Sequence, residues 1–348
     1  MAHTQRSKAL LVVLGNQLFP LKHLPPASGA SVFMAEDVGL CTYVRHHQQK
    51  IVLFLAAMRS YADALSAAGY DVHYERLDTN RTAGYETKLG DYLQENGAAE
   101  LMHFEIEDKA MEERIVNFAE SRDLTRTELP SPMFLCSRKD FATFADNSKR
   151  LLMGEFYKEQ RRRLDILIDD AGQPVGDQWS FDGDNRKKLP KNLTPPAVDW
   201  PESTKHVDDV IELVTKEFTG HPGNAAEFCW PTTRKQALTW LDQFIDQRLE
   251  QFGPYEDAMT TRSSTVFHSV LSPCMNLGLL TPAEIIDKVL ARAEHIPLQS
   301  LEGFVRQVIG WREFVRGVYR AHGDEQDRTN FWSHERELTD AWYNGTTG

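Results

Sequence analysis

The residues best suited to chemistry are concentrated late in the chain, in the run LEGFVRQVIGWREFVRGVY over residues 301–319. Leu301, Phe304, Val305, Val308, Ile309, Trp311, Phe314, Val315 and Val318 recur at steps of three and four, which makes one wide apolar face of an amphipathic helix. Arg306, Gln307, Trp311 and Arg312 crowd around Gly310 near that face. A glycine inside a helix costs about 1 kcal/mol against alanine, and what it provides is close approach of another group to the backbone. A core helix packed through a small residue has this pattern, and so does a helix that carries a site.

Two further stretches bear reactive or ligand-holding types. In FGPYEDAM, residues 252–259, the Gly-Pro pair makes a tight turn after a helix and puts Tyr255 on a loop. In SSTVFHSVLSP, residues 263–273, His268, Ser269, Leu271 and Ser272 stand in a hydroxyl-rich entry to a helix. Such an entry serves as an N-cap or, with free N–H groups, as a phosphate cradle; residue types alone leave both open. Basic residues gather at two places. Lys158, Arg161, Arg162 and Arg163 lie on a helix expected over 153–168, either as a solvated face paired with Glu155, Glu159 and Asp165 or as phosphate contacts. Arg186, Lys187 and Lys188 follow Trp179 and Phe181, the mix that suits stacking of unpaired bases. Asp182 and Asp184 could hold a hard divalent ion, but two acids in a loop are a weak signal.

The elements that must position these groups fall into two kinds. Strands are expected over 9–14, 31–35, 71–77, 101–106 and 126–129, alternating with helices over 43–68, 85–96 and 110–120. That alternation implies a doubly wound parallel sheet. No GxGxxG follows the first strand, which disfavours nicotinamide dinucleotide chemistry. Asn16, Gln17 and Glu36 instead stand at the carboxyl ends of strands, where ligands of such sheets bind, though turn and cap roles suit them equally. Residues 172–199 are rich in Gly, Pro, Asp and Asn and read as a long loop. Helices are then expected over 207–219, 233–252, 266–275, 282–293 and 301–319 with no strand between them. The resulting division is an α/β domain over 1–135, a connecting helix and loop over 136–205, and an all-helical domain over 206–348.

Composition narrows the function. The 348 residues carry a net charge of −12, so contact with nucleic acid must come from a local basic face. The four cysteines, Cys41, Cys136, Cys229 and Cys274, form no CxxC pair, so there is neither a metal-ligand motif nor a disulfide framework, and a cytoplasmic protein is expected. The longest apolar runs fall far short of the roughly 20 residues of a membrane span.

The stretch QVIGWREFVRGVY, together with LGNQLFP, YVRHHQQKIVLFLAAMRSYADAL and HSVLSPCMNLGLLTP, resembles the photolyase/cryptochrome family, in the prokaryotic branch that carries an iron–sulfur cluster and includes the bacterial (6-4) photolyases. The resemblance covers essentially the whole chain. It implies an antenna domain holding 6,7-dimethyl-8-ribityllumazine near Asn16, Gln17, Glu36, Tyr43 and Ile51, with Asn16 departing from the acidic residue expected there. It implies FAD lined by Tyr255, His268, Ser269, Leu271 and Ser272, with Trp311 and Arg312 facing the flavin cavity and Arg306 or Gln307 reaching toward the substrate. Trp342 would take part in electron transfer to the flavin, and Arg161, Arg162, Arg163, Trp179, Arg186 and Lys187 would meet DNA. The implied activity is light-driven repair of a UV-induced pyrimidine dimer, the (6-4) photoproduct, by a monomeric lyase acting on damaged DNA. A cryptochrome-like blue-light receptor and an inactive fragment are the alternatives. The cysteine ligands of the [4Fe-4S] cluster would fall beyond Gly348, so the helical flavin domain is expected to be incomplete, with exposed apolar faces.

Overall fold

The computed structural model describes residues 9–77 and 82–347. Its centre is the run ALLVVL. β1 (Ala9–Val12) is buried on both faces because parallel neighbours and helices cover it completely. β2 (Ala30–Ala35) and β3 (Val72–Glu75) extend the sheet on one side, and β4 (Glu100–Phe104) and β5 (Thr125–Leu129) on the other. The order is β3-β2-β1-β4-β5, all parallel. All five strands match the sequence expectation to within about two residues at each end, the scatter usual for boundaries. The chain leaves β1 toward β2 and returns to β4 on the other side, so a crevice opens between the carboxyl ends of β1 and β4.

A short helix not expected from the sequence, α1 (Val38–Thr42), is capped by Asp37, and the helix expected over 43–68 starts late as α2 (Gln48–Ala67), whose cap is His47, its Nδ1 accepting from the Gln49 N–H at 3.2 Å. α2 comes close to the sheet because Gly15 has no side chain. A Cβ there would stand 2.8 Å from Met58 Sδ and 3.2 Å from Phe54 Cδ1. α3 (Tyr85–Asn96) and α4 (Lys109–Ser121) complete the sheet's cover.

α5 (Arg138–Asn147) was not anticipated, although Ser137 caps it through the Asp140 N–H. α6 (Met153–Leu164) stops short of 168 because Asp165 turns left-handed, φ 54°. Past the long loop come α7 (Val207–Glu217), α8 (Arg234–Gln247), α9 (Leu249–Phe252), α10 (Ser272–Leu277), α11 (Pro282–Leu290) and α12 (Leu298–Val305). The helix expected over 266–275 starts late, because Val266 and Val270 are held at φ 49° and 56°. Among the described residues no strand lies beyond β5, and no helix is long and apolar enough to cross a membrane.

The 301–319 stretch is a continuous rod with an irregular middle. α12 runs into a π-helical segment, Arg306–Arg312, and then α13 (Glu313–Arg328); α14 (Asp340–Asn344) follows near the end. A π-helical turn accommodates one more residue than an α turn and is frequently found at functional sites. Gly310 sits in it, and a Cβ there would be 3.2 Å from Tyr157 Cδ2 and 3.3 Å from Met153 Sδ, so α6 packs on this point. One apolar cluster joins Leu11, Val13 and Val32 of the sheet to Trp240, Phe244, Ile286 and Ile309 of the later helices, so the two halves share a core.

Candidate functional site

The first site is a cavity of about 230 Å³ at the carboxyl ends of the strands. Leu14, Gly15 and Asn16 follow β1, Glu36 and Asp37 follow β2, and Ile106 and Asp108 follow β4 around it. Ile51, Phe54, Leu55 and Met58 of α2 form an apolar wall, and Tyr43 and His46 stand at the rim. Asn16, Glu36, Tyr43 and Ile51 therefore meet at one cavity. Gln17 does not line it: its Nε2 donates to the Glu105 carbonyl at 3.1 Å and ties the β1 and β4 exits together.

Glu36 is more tightly engaged than a free ligand would be. Its carboxylate accepts from Arg59 at 2.6 and 3.0 Å, from the Tyr74 hydroxyl at 2.8 Å and from the Leu77 N–H at 2.9 Å. Lys88 donates to the Glu36 carbonyl at 2.6 Å. Glu36 thus frames the cavity by joining β2, β3, α2 and α3. Asp37 and Asp108 are likewise committed as helix caps, to Leu40 and Met111, each at 2.8 Å. Among the lining groups the Tyr85 hydroxyl stands apart, since it is buried and has no hydrogen-bond partner among the described residues.

The second site lies where the 253–257 turn meets α12. Gly253 donates to Ser300 Oγ at 2.9 Å, and a Cβ on it would sit 2.8 Å from the Ser300 backbone. The turn faces the 263–271 loop: Tyr255 stacks on Phe267 at 5.5 Å, and the His268 ring meets Phe252 edge-on at 5.8 Å. Partial desolvation holds the His268 imidazole below its ordinary pKa, against the opposing pull of the Glu256 backbone. The Ser269 carbonyl accepts from Trp240 Nε1 at 3.2 Å, and Leu271 is buried just before Ser272 opens α10. Positive φ at the two β-branched valines beside them is strain of the sort that collects at binding sites.

Arg306, from the π-helical segment, is buried beneath this turn. It pairs with Glu256 at 3.2 Å, Asp182 at 3.3 Å and Glu302 at 3.4 Å. Gln307 donates to the other oxygen of Glu256, and Asn185 Nδ2 reaches Glu256 at 3.3 Å. Burial raises the Glu256 carboxyl above its ordinary range, with Arg306 opposing. Arg312 points the other way: its guanidinium donates to the Met133 carbonyl at 2.7 Å and lies 4.1 Å over Phe134. Trp311 is half-exposed, and Trp342 is 66% exposed on α14.

The basic residues separate by depth. Arg161 is fully buried, donating to the carbonyls of Ile166, Leu167 and Trp179, so it is an interior anchor with no surface to offer a phosphate. Arg162 is exposed and stacks on Trp179 at 4.4 Å. Arg163 is tied to Gln160 and the Leu135 carbonyl. Arg186 is exposed but paired with Asp182, and the exposed Lys187 is held only by its backbone N–H, to the Pro254 carbonyl at 3.0 Å.

Residues 11–230 match the family described as deoxyribodipyrimidine photo-lyase-related protein. The chain belongs to that family. It is 32% identical over 347 residues to a (6-4) photolyase of Agrobacterium fabrum, an alignment that covers 97% of this chain and 68% of that one. A deoxyribodipyrimidine photo-lyase of the same organism is 29% identical over 168 residues, covering 46% of this chain and 33% of that protein. The structure of a bacterial class III photolyase from Agrobacterium tumefaciens superposes with a TM-score of 0.61 at 17% identity, covering 99% of this chain and 66% of that chain, a likeness of fold. This photo-lyase-related chain thus spans about two thirds of the length of the first and the last of these.

Several residues that organise the two sites carried no sequence signal. Arg59 lies within an apolar helix face, and Tyr74, Tyr85 and Lys88 belong to stretches read only for their periodicity. Glu256 was visible beside Tyr255, but only the fold brings Arg306, Gln307 and Asn185 to it.

Proposed function

We propose that this chain takes part in light-driven repair of a UV-induced pyrimidine dimer, the (6-4) photoproduct, through flavin electron transfer. The observation that carries the reading is the strained 263–271 loop facing Tyr255, within a chain of the photo-lyase-related family. Buried Leu271, with Tyr255, His268, Ser269 and Ser272, would hold FAD there, and the positive-φ valines are the backbone feature that fits a cofactor-shaped loop. Bound FAD supplies an electron on excitation.

The chain's own residues do the positioning. The Tyr255–Phe267 pair and Leu271 exclude water, and desolvation holds the His268 imidazole below its ordinary pKa. The Arg306–Glu256–Gln307 network fixes the turn against the π-helical segment, and Gln307, half-buried, is the member of it with access toward a substrate. Trp342, exposed, suits exchange of electrons with the outside. Arg312, turned toward Phe134, instead fastens the π-helical segment to the sheet side. The 9–135 region, read as the antenna domain, offers a cavity whose apolar wall and unpartnered Tyr85 hydroxyl fit a lumazine ring. No group of residues that could hold a metal occurs among the described residues, and no step is assigned to an iron–sulfur cluster.

Damaged DNA would meet Arg162 with Trp179, and Lys187, on the acidic protein's exposed basic points. Flipping a lesion out of the duplex costs a few kcal/mol, least where stacking is already poor. The test is repair of a duplex carrying one (6-4) photoproduct, in light and in darkness. Repair confined to the illuminated sample is the expected result, and equal rates in both overturn the reading. The Arg162→Ala, Lys187→Ala pair should weaken binding and lower the slope of log affinity against log salt by about 2, at roughly 0.9 per lost phosphate contact.

A further inference from the structure

We propose that the Tyr85 hydroxyl is the buried hydrogen-bond donor that fixes the orientation of a flat, heteroatom-bearing chromophore of the lumazine class in the cavity at the sheet's carboxyl edge. This rests on the antenna reading given above and adds to it a residue outside the set that the family resemblance places there.

Tyr85 is the first residue of α3, and its ring meets Phe33 of β2 edge-on at 6.0 Å, with 83° between the planes. The ring is therefore held on both its element and the sheet. Its oxygen is out of contact with water and has no partner among the described residues. Proteins seldom leave a hydroxyl in that state, because a phenyl ring of the same shape would fill the space without the unmet hydrogen bond.

Asn16 at the cavity is only half-buried, and most of the other polar groups there hold the protein together. The Glu36 carboxylate accepts four hydrogen bonds, and Asp37 and Asp108 cap α1 and α4. Lys50 Nζ lies 3.3 Å from His46 Nδ1 at the rim. Tyr85 is left as the buried group free to recognise a ligand. Burial, with Glu86 and Asp37 nearby, pushes its ionisation far above the ordinary tyrosine range, so the group is a donor at every pH the fold tolerates. The ligand must then present an acceptor, a ring nitrogen or carbonyl oxygen, toward α3, with its flat face against Ile51, Phe54 and Met58. Position at the crossover between β1 and β4 agrees with where open α/β sheets take ligands.

The experiment is an equilibrium titration of 6,7-dimethyl-8-ribityllumazine into the purified chain and into Tyr85→Phe, followed by fluorescence and by the visible absorption band, with thermal melts of both ligand-free proteins. Loss of one hydrogen bond to the ligand should weaken binding about tenfold and displace the bound band. The ligand-free variant should melt no lower than the wild type, because its orphan hydroxyl is gone. Equal affinity with an unmoved band overturns the assignment. A ligand-free melting point several degrees lower also overturns it, since the hydroxyl then has a partner inside the protein. If the wild type fails to bind the lumazine, the antenna reading itself falls, which the melts and the variant do not affect.

Discussion

Replacing Glu36 by glutamine lowers stability by about 3–5 kcal/mol, the range for breaking one side of a buried ion pair. The carboxylate is fully enclosed and joins Arg59, Tyr74 and the Leu77 N–H at distances of 2.6–3.0 Å. A glutamine keeps the shape but has a single acceptor oxygen and no charge, so the buried Arg59 guanidinium loses its carboxylate. Chemical denaturation at neutral pH measures the loss. The double variant Glu36→Leu, Arg59→Leu should recover part of it, because it removes the buried guanidinium along with the carboxylate it pairs with. A single-variant loss under about 1 kcal/mol would mean that the pair is wetter than its geometry implies. Because the same carboxylate frames the cavity, Glu36→Gln should also weaken lumazine binding.

Arg306→Met has an expected cost of the same size, about 3–5 kcal/mol at neutral pH. Arg306 is the shared cation of Glu256, Glu302 and Asp182, and Glu302 is completely buried. Without it Glu256 and Glu302 lose the cation they share. The pH dependence follows from the direction of the Glu256 shift. Burial already raises this group, and Arg306 is the chief influence holding it down, so the variant raises it further. A carboxyl raised in the folded state destabilises the fold at pH above its unfolded value and does so less as it takes up a proton. The melting-point gap between variant and wild type should therefore narrow from about pH 7.5 to about pH 5. A gap that widens on acidification would contradict the network as described. Flavin retention should fall with the same substitution, because the turn carrying Tyr255 is fastened to the π-helical segment through Glu256 and Arg306.

How much could be read from the residues alone depended on whether the signal was local. β1 and β2 were legible because buried parallel strands are short apolar runs, ALLVV and SVFMA, bounded by turn residues, and β3 because its residues alternate. Helix ends were less so. Arg248 breaks the helix expected over 233–252 without any glycine or proline, and the left-handed Val266 and Val270 go against the preferences of their residue type. The π-helical turn at Arg306–Arg312 was hidden because steps of three and four continue through it, and only Gly310 marked the close approach of Tyr157. At the sites, strand ends placed Asn16 and Glu36 at the cavity and the family resemblance added Tyr43 and Ile51. Local position could not place Arg161 or Arg312. Both sit on basic or site-like stretches, yet long-range packing takes one inside to backbone carbonyls and turns the other onto Phe134. Basic character in a sequence reports charge, and depth is decided by the fold.

The central claim is that this chain holds a flavin between the 253–257 turn and the 263–271 loop. Its most direct test is the visible absorption spectrum of the purified chain before and after denaturation, with chromatographic identification of what is released. The account predicts a structured flavin band in the native protein and free FAD in the supernatant, both diminished in Arg306→Met. A protein that purifies without visible absorption, and stays colourless when refolded with added FAD, would contradict it.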